Sequence, residues 1–216
     1  MNETFLNFLV FLDKAFVNIR QVPVAVLYHG GYWKQQWTID NTPITSIVPD
    51  LLKLGFGVVE VEYRRRDDEG GGWPGTNNDA MLALNSLPDV AADECATLDL
   101  TNVTLIGHSA GGCLVLWLAA QELLAVRLAL VVAVAPVCDL NEAYHLRLSD
   151  EGDAVERYMK CTPETEEGLA HYAKASPAEL VPNIQVSGNT HIEPSPLFCV
   201  CYIWLFTHLC GITIRL

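Results

Sequence analysis

The chain has 216 residues, enough for one full domain at the usual size of about 150 residues. Half of its residues are hydrophobic, 18% are charged and the mean hydropathy is +0.22, which excludes disorder, collagen and coiled coil. Thirteen Lys and Arg against 26 Asp and Glu leave a net charge of −13, a surface that repels phosphate backbones and anionic headgroups, so nucleic acid is not an expected partner.

The first residues carry an apolar stretch preceded by Glu3 and by no Lys or Arg, which does not read as a secretory signal. Phe5, Phe8, Leu9, Leu12 and Phe16 recur at helical spacing and predict an amphipathic or buried helix there. From residue 22 onward, buried-strand runs alternate with helical patterns, the mark of an α/β fold whose mostly parallel central sheet carries helices on both faces. The predicted strands are 24–28, 58–63, 103–107 and 128–135, each β-branched and nearly continuous in apolar residues. Helices are expected near 47–54, with Gly55 as a C′ stop, near 78–87, and from 110 to about 124. Between strands and helices, the run RRRDDEGGG at 64–72 mixes both signs and ends in glycines, so it is expected to be a solvated loop. After residue 135 the chain turns polar and helical before reaching SPAELVP at 176–182.

Composition then breaks. Residues 184–216 hold two charged side chains, Glu193 and Arg215, and 197–214 form an apolar run that just reaches the length of a membrane span. A buried strand region gives the same pattern, so the tail has two readings. The expected division is a domain over 1–182 and an apolar tail of unrelated composition over 183–216. Seven cysteines, an odd number with no C-x-x-C spacing, support neither a disulfide framework nor a zinc site, and a cytoplasmic location is expected, with tethering through 197–214 as the alternative.

The strongest chemical signal is VTLIGHSAGG at 103–112, where an apolar strand ends in Gly107-His108-Ser109-Ala110-Gly111 and an apolar helix begins at once. G-x-S-x-G in that setting is a nucleophile elbow. The serine occupies a strained turn, and side chains at the two flanking glycines would collide with the neighbouring strand and helix. Ser109 is therefore the candidate nucleophile, and the N–H of Ala110, at the start of the helix, is a candidate oxyanion donor. A tight turn or a phosphate-binding helix start would also use glycine and serine. His29-Gly30-Gly31-Tyr32-Trp33, directly after strand VAVLY, favours the catalytic reading, since a glycine pair there lets backbone amides face the serine across the sheet end.

HGGYW, VEVEYRR, GGGWPG and GHSAGG, in that order, resemble the α/β-hydrolase family, and within it the kynurenine formamidases and related carboxylesterases, over roughly residues 22–182. The resemblance implies that the amides of Gly31 and Tyr32 complete the oxyanion hole with Ala110. It implies no metal or organic cofactor, and a formyl amide or small carboxylic ester as substrate. The acid and base should follow the serine in the order acid, then His. In the resembled group a G-x-x-D-x-x-V-P segment and a late His supply them. Here Gly188 is followed by His191 and Glu193, with the spacing one residue short, so the fold is expected to be C-terminally incomplete. Asp139 is a second acid candidate, although an aspartate before Leu140 also reads as a helix cap. His145, His171 and His208 match no motif. His29 and His108 are read as structural, the first bracing its loop and the second pointing away from Ser109. The acid and base are thus left unassigned. Three readings follow: a serine hydrolase of formyl amides or esters, a catalytically impaired member kept for binding or regulation, and a form tethered through 197–214, with Cys199 and Cys201 as candidate acylation sites.

Overall fold

The structure, a computed structural model, describes residues 7–12, 21–93 and 98–180. Five strands, β1 (Asn7–Phe11), β2 (Val22–Tyr28), β3 (Gly57–Glu62), β4 (Leu98–His108) and β5 (Leu128–Val134), form one sheet in the order β1-β3-β2-β4-β5. β1 pairs antiparallel with β3, and the remaining pairs are parallel. The helices are α1 (Val48–Lys53), α2 (Gly75–Asn85), α3 (Leu87–Asp93), α4 (Ala110–Ala119), α5 (Leu140–His145), α6 (Ala154–Met159), α7 (Glu166–Ala175) and α8 (Pro177–Leu180).

The period-two alternation of the strands divides the core in two. Val24, Val26 and Tyr28 of β2 join Val59 and Val61 of β3 and Val103 and Leu105 of β4 against α2 and α4, whereas Ala25, Leu27, Val58 and Ile106 face Ile44, Val48 and the rest of α1. Helices therefore cover both faces. All ten residues of α4 are buried, which is why its sequence is apolar around the whole circumference rather than along one stripe. Burial of a side chain such as Leu114 or Leu118, both at 0% exposure, contributes about 1.5–3 kcal/mol.

Strand order also creates the crevice. β2 leads through α1 to β3 on one side, and β4 leads through α4 to β5 on the other, so the loops after adjacent strands β2 and β4 diverge at their carboxyl ends. Such a switch point is where open parallel sheets bind ligands, and here it receives the HGGYW loop and the elbow.

Three expectations need correction. The helix predicted around 5–16 is a strand where the structure describes it: Asn7–Phe11 pairs with Glu62–Val58. Phe8 and Val10 pack on one core and Phe11 on the other, while Leu9 is 46% exposed. The open edge of β3 supplies hydrogen-bond partners that outweigh a periodicity shared by few residues. The helix from 110 stops at Ala119 rather than 124, because Asn85 of α2 captures the following segment, accepting from Ala125 N–H (2.8 Å) and donating to Leu123 C=O (3.2 Å). Finally, the loop at 64–72 is not solvated throughout. Arg64 forks onto Asp79 at 2.7 and 2.8 Å, and Arg66 is only 6% exposed, with its N–H donated to Trp33 C=O at 2.8 Å.

Asp139 caps α5, its carboxylate accepting from Glu142 N–H at 2.9 Å. Gly55, at φ +90°, ends α1 as expected, donating to Leu52 C=O at 2.9 Å. Among the described residues no helix is long and apolar enough to cross a membrane. The tail 183–216, with the run 197–214, His191, Glu193, Cys199, Cys201 and His208, lies outside the described residues.

Candidate active site

Ser109 stands between β4 and α4 at φ 54°, ψ −114°, a backbone conformation that costs a residue with a side chain about 1–3 kcal/mol. The turn is held from both directions: Ser109 N–H donates to Val134 C=O of β5 at 2.8 Å, and Ser109 C=O accepts from Cys113 N–H at 3.1 Å. Its tightness explains the flanking glycines. A Cβ on Gly107 would lie 2.2 Å from Gly111 O, and one on Gly111 would lie 2.0 Å from Tyr28 O, both backbone atoms that cannot swing aside. The pentapeptide thus lets the strand end, the helix start and the end of β2 pack with no side chain between them.

The second motif meets the first. A Cβ on Gly30 would fall 2.8 Å from both His108 Nδ1 and His108 O and 3.1 Å from Ser109 Cβ, so the loop after β2 lies directly against the elbow. Gly31, Tyr32 and Trp33 follow with φ of 109°, 50° and 55°, and Lys34 N–H closes the turn on Gly31 C=O at 3.0 Å. All three φ values are positive, a region in which glycine is at ease and a residue with a Cβ is not. No acceptor for the N–H groups of Gly31, Tyr32 or Ala110 is found among the described residues. Tyr32 and Trp33 hold a costly conformation, about 1–2 kcal/mol each. Burial offsets it: Trp33 is at 0% exposure and stacks on Tyr158, ring centroids 4.0 Å apart.

His29, 1% exposed, braces this loop as predicted. Its Nδ1 contacts Gly30 O at 2.8 Å and its Nε2 contacts Glu62 Oε1 at 3.2 Å. A carbonyl and a carboxylate only accept, so each contact is a hydrogen bond when the ring nitrogen it reaches carries a proton. Tyr63 stacks on the ring at 4.3 Å and donates its hydroxyl to His29 C=O at 2.6 Å. Burial alone would raise the Glu62 carboxyl, but the hydrogen bond and charge of His29, the Ile39 N–H and the Arg65 guanidinium together hold it below the usual carboxylate range.

Glu62 is a residue that sequence reasoning missed. Its signal was present in VEVEY: two carboxylates on one face of an otherwise buried strand require partners. Glu60, on that same face and 2% exposed, has its carboxyl raised by burial against the Thr45 hydrogen bond.

The other histidines and acids lie elsewhere or differ in role. Burial lowers the pKa of His108, and its ring packs against Gly30. Tyr144 and His145 form an edge contact, ring centroids 5.3 Å apart. His171 lines a cleft of about 330 Å³ with Trp73, Pro74, Met159 and Cys161. A second cleft, about 480 Å³, is lined by Lys34, Arg66, Asp67, Glu151 and Arg157. Among the described residues, no histidine or carboxylate hydrogen-bonds the Ser109 hydroxyl.

The BD-FAE family model matches residues 14–186. No curated protein matches the chain. Among solved structures, esterase B from Lactobacillus rhamnosis superimposes with a TM-score of 0.60 at 20% identity, over 78% of this chain and 54% of that one. An acetyl ester-xyloside bifunctional hydrolase from Caldicellulosiruptor lactoaceticus gives 0.61 at 18%, over 83% and 62%. A hyperthermophilic esterase from the archaeon Pyrobaculum calidifontis gives 0.57 at 20%, over 80% and 57%. The chain spans about half the length of the esterase B chain it matches. These likenesses share the sheet and its flanking helices, the α/β-hydrolase fold that the sequence motifs led us to expect. With the family model covering the chain from before β2 to beyond α8, the protein belongs to the BD-FAE family.

Proposed function

We propose that this chain is a serine esterase. Ser109 Oγ attacks the carbonyl carbon of a small carboxylic ester, and the N–H groups of Gly31, Tyr32 and Ala110 hold the resulting oxyanion. The alcohol leaves, and water then cleaves the acyl-serine. The observation that carries the reading is the contact of Gly30 with His108 and Ser109, which sets a turn of positive-φ residues, two of whose N–H groups have no acceptor among the described residues, beside a strained serine. Esters are favoured over formyl amides, the other substrate class of the resembled group, because the solved structures that share this fold include esterases. The acid and base belong, by the chain order of this fold, after Ser109, and Asp139 is already engaged as a cap.

Structures of Lactobacillus rhamnosis esterase B include one with a tributyrin phosphonate inhibitor, and phosphorus electrophiles test the same step here. The full chain treated with a fluorophosphonate probe is expected to take up label that Ser109→Ala abolishes. A folded chain with no Ser109-dependent label would refute the proposal and leave a non-catalytic binding role.

A further inference from the structure

A carboxylate one shell behind the oxyanion loop has no role in the chemistry above, yet its contacts lead to it. We propose that Glu62 is a positioning residue that, acting through His29, sets the direction of the Gly31 N–H toward the acyl oxygen. The inference rests on the serine-esterase reading for its consequence, though not for its geometry.

Gly30 C=O and Gly31 N–H belong to the same trans, planar unit, in which the two bonds point in opposite directions. Holding the carbonyl therefore aims the N–H. His29 Nδ1 lies 2.8 Å from that carbonyl oxygen, and the ring is held on two further sides, because Tyr63 covers its face at 4.3 Å and Glu62 Oε1 meets Nε2 at 3.2 Å. Glu62 is itself fixed by the N–H of Ile39 on Oε2 at 3.1 Å and by Arg65 Nη1 on Oε1, and Arg65 is fixed by Asp68 at 3.0 Å. A carboxylate suits this point because three donors converge on it. Glutamine keeps one acceptor oxygen and turns an NH₂ toward a donor, so it can restore part of the arrangement, whereas alanine leaves the ring free to rotate.

The nearest purely structural comparison is Asp79 of α2, 4% exposed, which accepts from Arg64 N–H, Nε and Nη2 at 3.0, 2.8 and 2.7 Å and touches neither motif. Fluorophosphonate labelling of the full chain would be resolved into the inactivation rate constant and the reversible binding constant for wild type, Glu62→Ala, Glu62→Gln and Asp79→Ala. The Gly31 cross-peak of ¹⁵N-glycine-labelled protein would be followed alongside. Glu62→Ala is expected to lower the rate constant about 10- to 100-fold, the loss typical of a misdirected oxyanion donor, with binding within about twofold and the Gly31 peak displaced. Glu62→Gln should recover part of that loss. Asp79→Ala should lower the melting temperature and leave the rate constant within about twofold, since its site does not reach the loop.

A folded Glu62→Ala labelled at the wild-type rate would overturn the inference. So would an unmoved Gly31 peak, or a rate loss in Asp79→Ala as large as in Glu62→Ala. Should Glu62→Ala not fold, the same comparison is made with Glu62→Gln, for which an unchanged rate and an unmoved peak refute the proposal. A wild-type chain that takes no label while its Gly31 peak moves in the Glu62 variants would sink the esterase reading and sustain the hold of Glu62 on the loop.

Discussion

Replacing Gly30 with alanine probes the meeting of the two motifs with a single methyl group. The added Cβ would sit 2.8 Å from His108 O, a backbone atom, and from His108 Nδ1, and 3.1 Å from Ser109 Cβ. Ordinary contact begins near 3.5 Å, so the loop must withdraw from the elbow by about 0.5–0.7 Å. Gly30 is not among the positive-φ glycines, so the perturbation is steric rather than conformational. Overpacking of this kind costs about 1–3 kcal/mol, which a domain of this size can survive. The consequence for chemistry is larger: a misplacement of about 1 Å can cost 10²-fold, so labelling by a fluorophosphonate should slow by about 10- to 100-fold while the melting transition remains cooperative. Gly57→Ala is the control. Its Cβ would approach Leu12 Cδ2 and Leu98 Cδ2 at 2.9 Å, but these are ends of flexible side chains at the far end of β3, and its labelling rate should match wild type. The second-order labelling rate and a thermal melt, measured on the same preparations, decide the matter. Gly30→Ala labelled within about twofold of wild type would refute the claim that the loop must touch the elbow to work.

Ser109→Gly should abolish labelling yet raise stability by about 1 kcal/mol in urea titrations, because glycine adopts φ 54°, ψ −114° without the penalty serine bears; destabilisation would contradict the strained-turn reading. Asp139→Ala should cost about 1 kcal/mol through the lost cap on α5 and leave labelling unchanged, whereas a drop of about 10²-fold would reassign Asp139 as the catalytic acid. Glu62 titrates below its ordinary value in the folded chain, so its stabilising contribution is complete above the unfolded carboxyl pKa of about 4.3 and is lost as pH falls through the depressed folded value. The stability gap between wild type and Glu62→Gln should therefore be flat near neutrality and narrow below about pH 4 in melts run across that range; a gap constant to pH 3 would show that the carboxylate charge does not matter.

Sequence alone determined the elements whose signals are local. The apolar β-branched runs around 24–28 and 103–107, the stop at Gly55 and the cap at Asp139 depend on neighbours within a few residues, and the structure shows each of them. The glycines around Ser109 were legible for the same reason: a turn that tight imposes its residue types on the five positions that form it. What lies at 7–11 was decided elsewhere, because a short apolar segment takes the structure of the edge it meets, and β3 offered unpaired backbone groups. The end of α4 was likewise set by Asn85, which approaches from a different helix. At the site, only the tertiary structure brought Gly30 against Ser109, 79 positions apart, and Glu62 against His29. The first contact joins the ends of β2 and β4, neighbours in the sheet with β3 between them in the chain, and the second joins β2 to β3, 33 residues apart. Hydrogen bonding and close packing act through space, and residue order carries no direct record of which strand edges will meet.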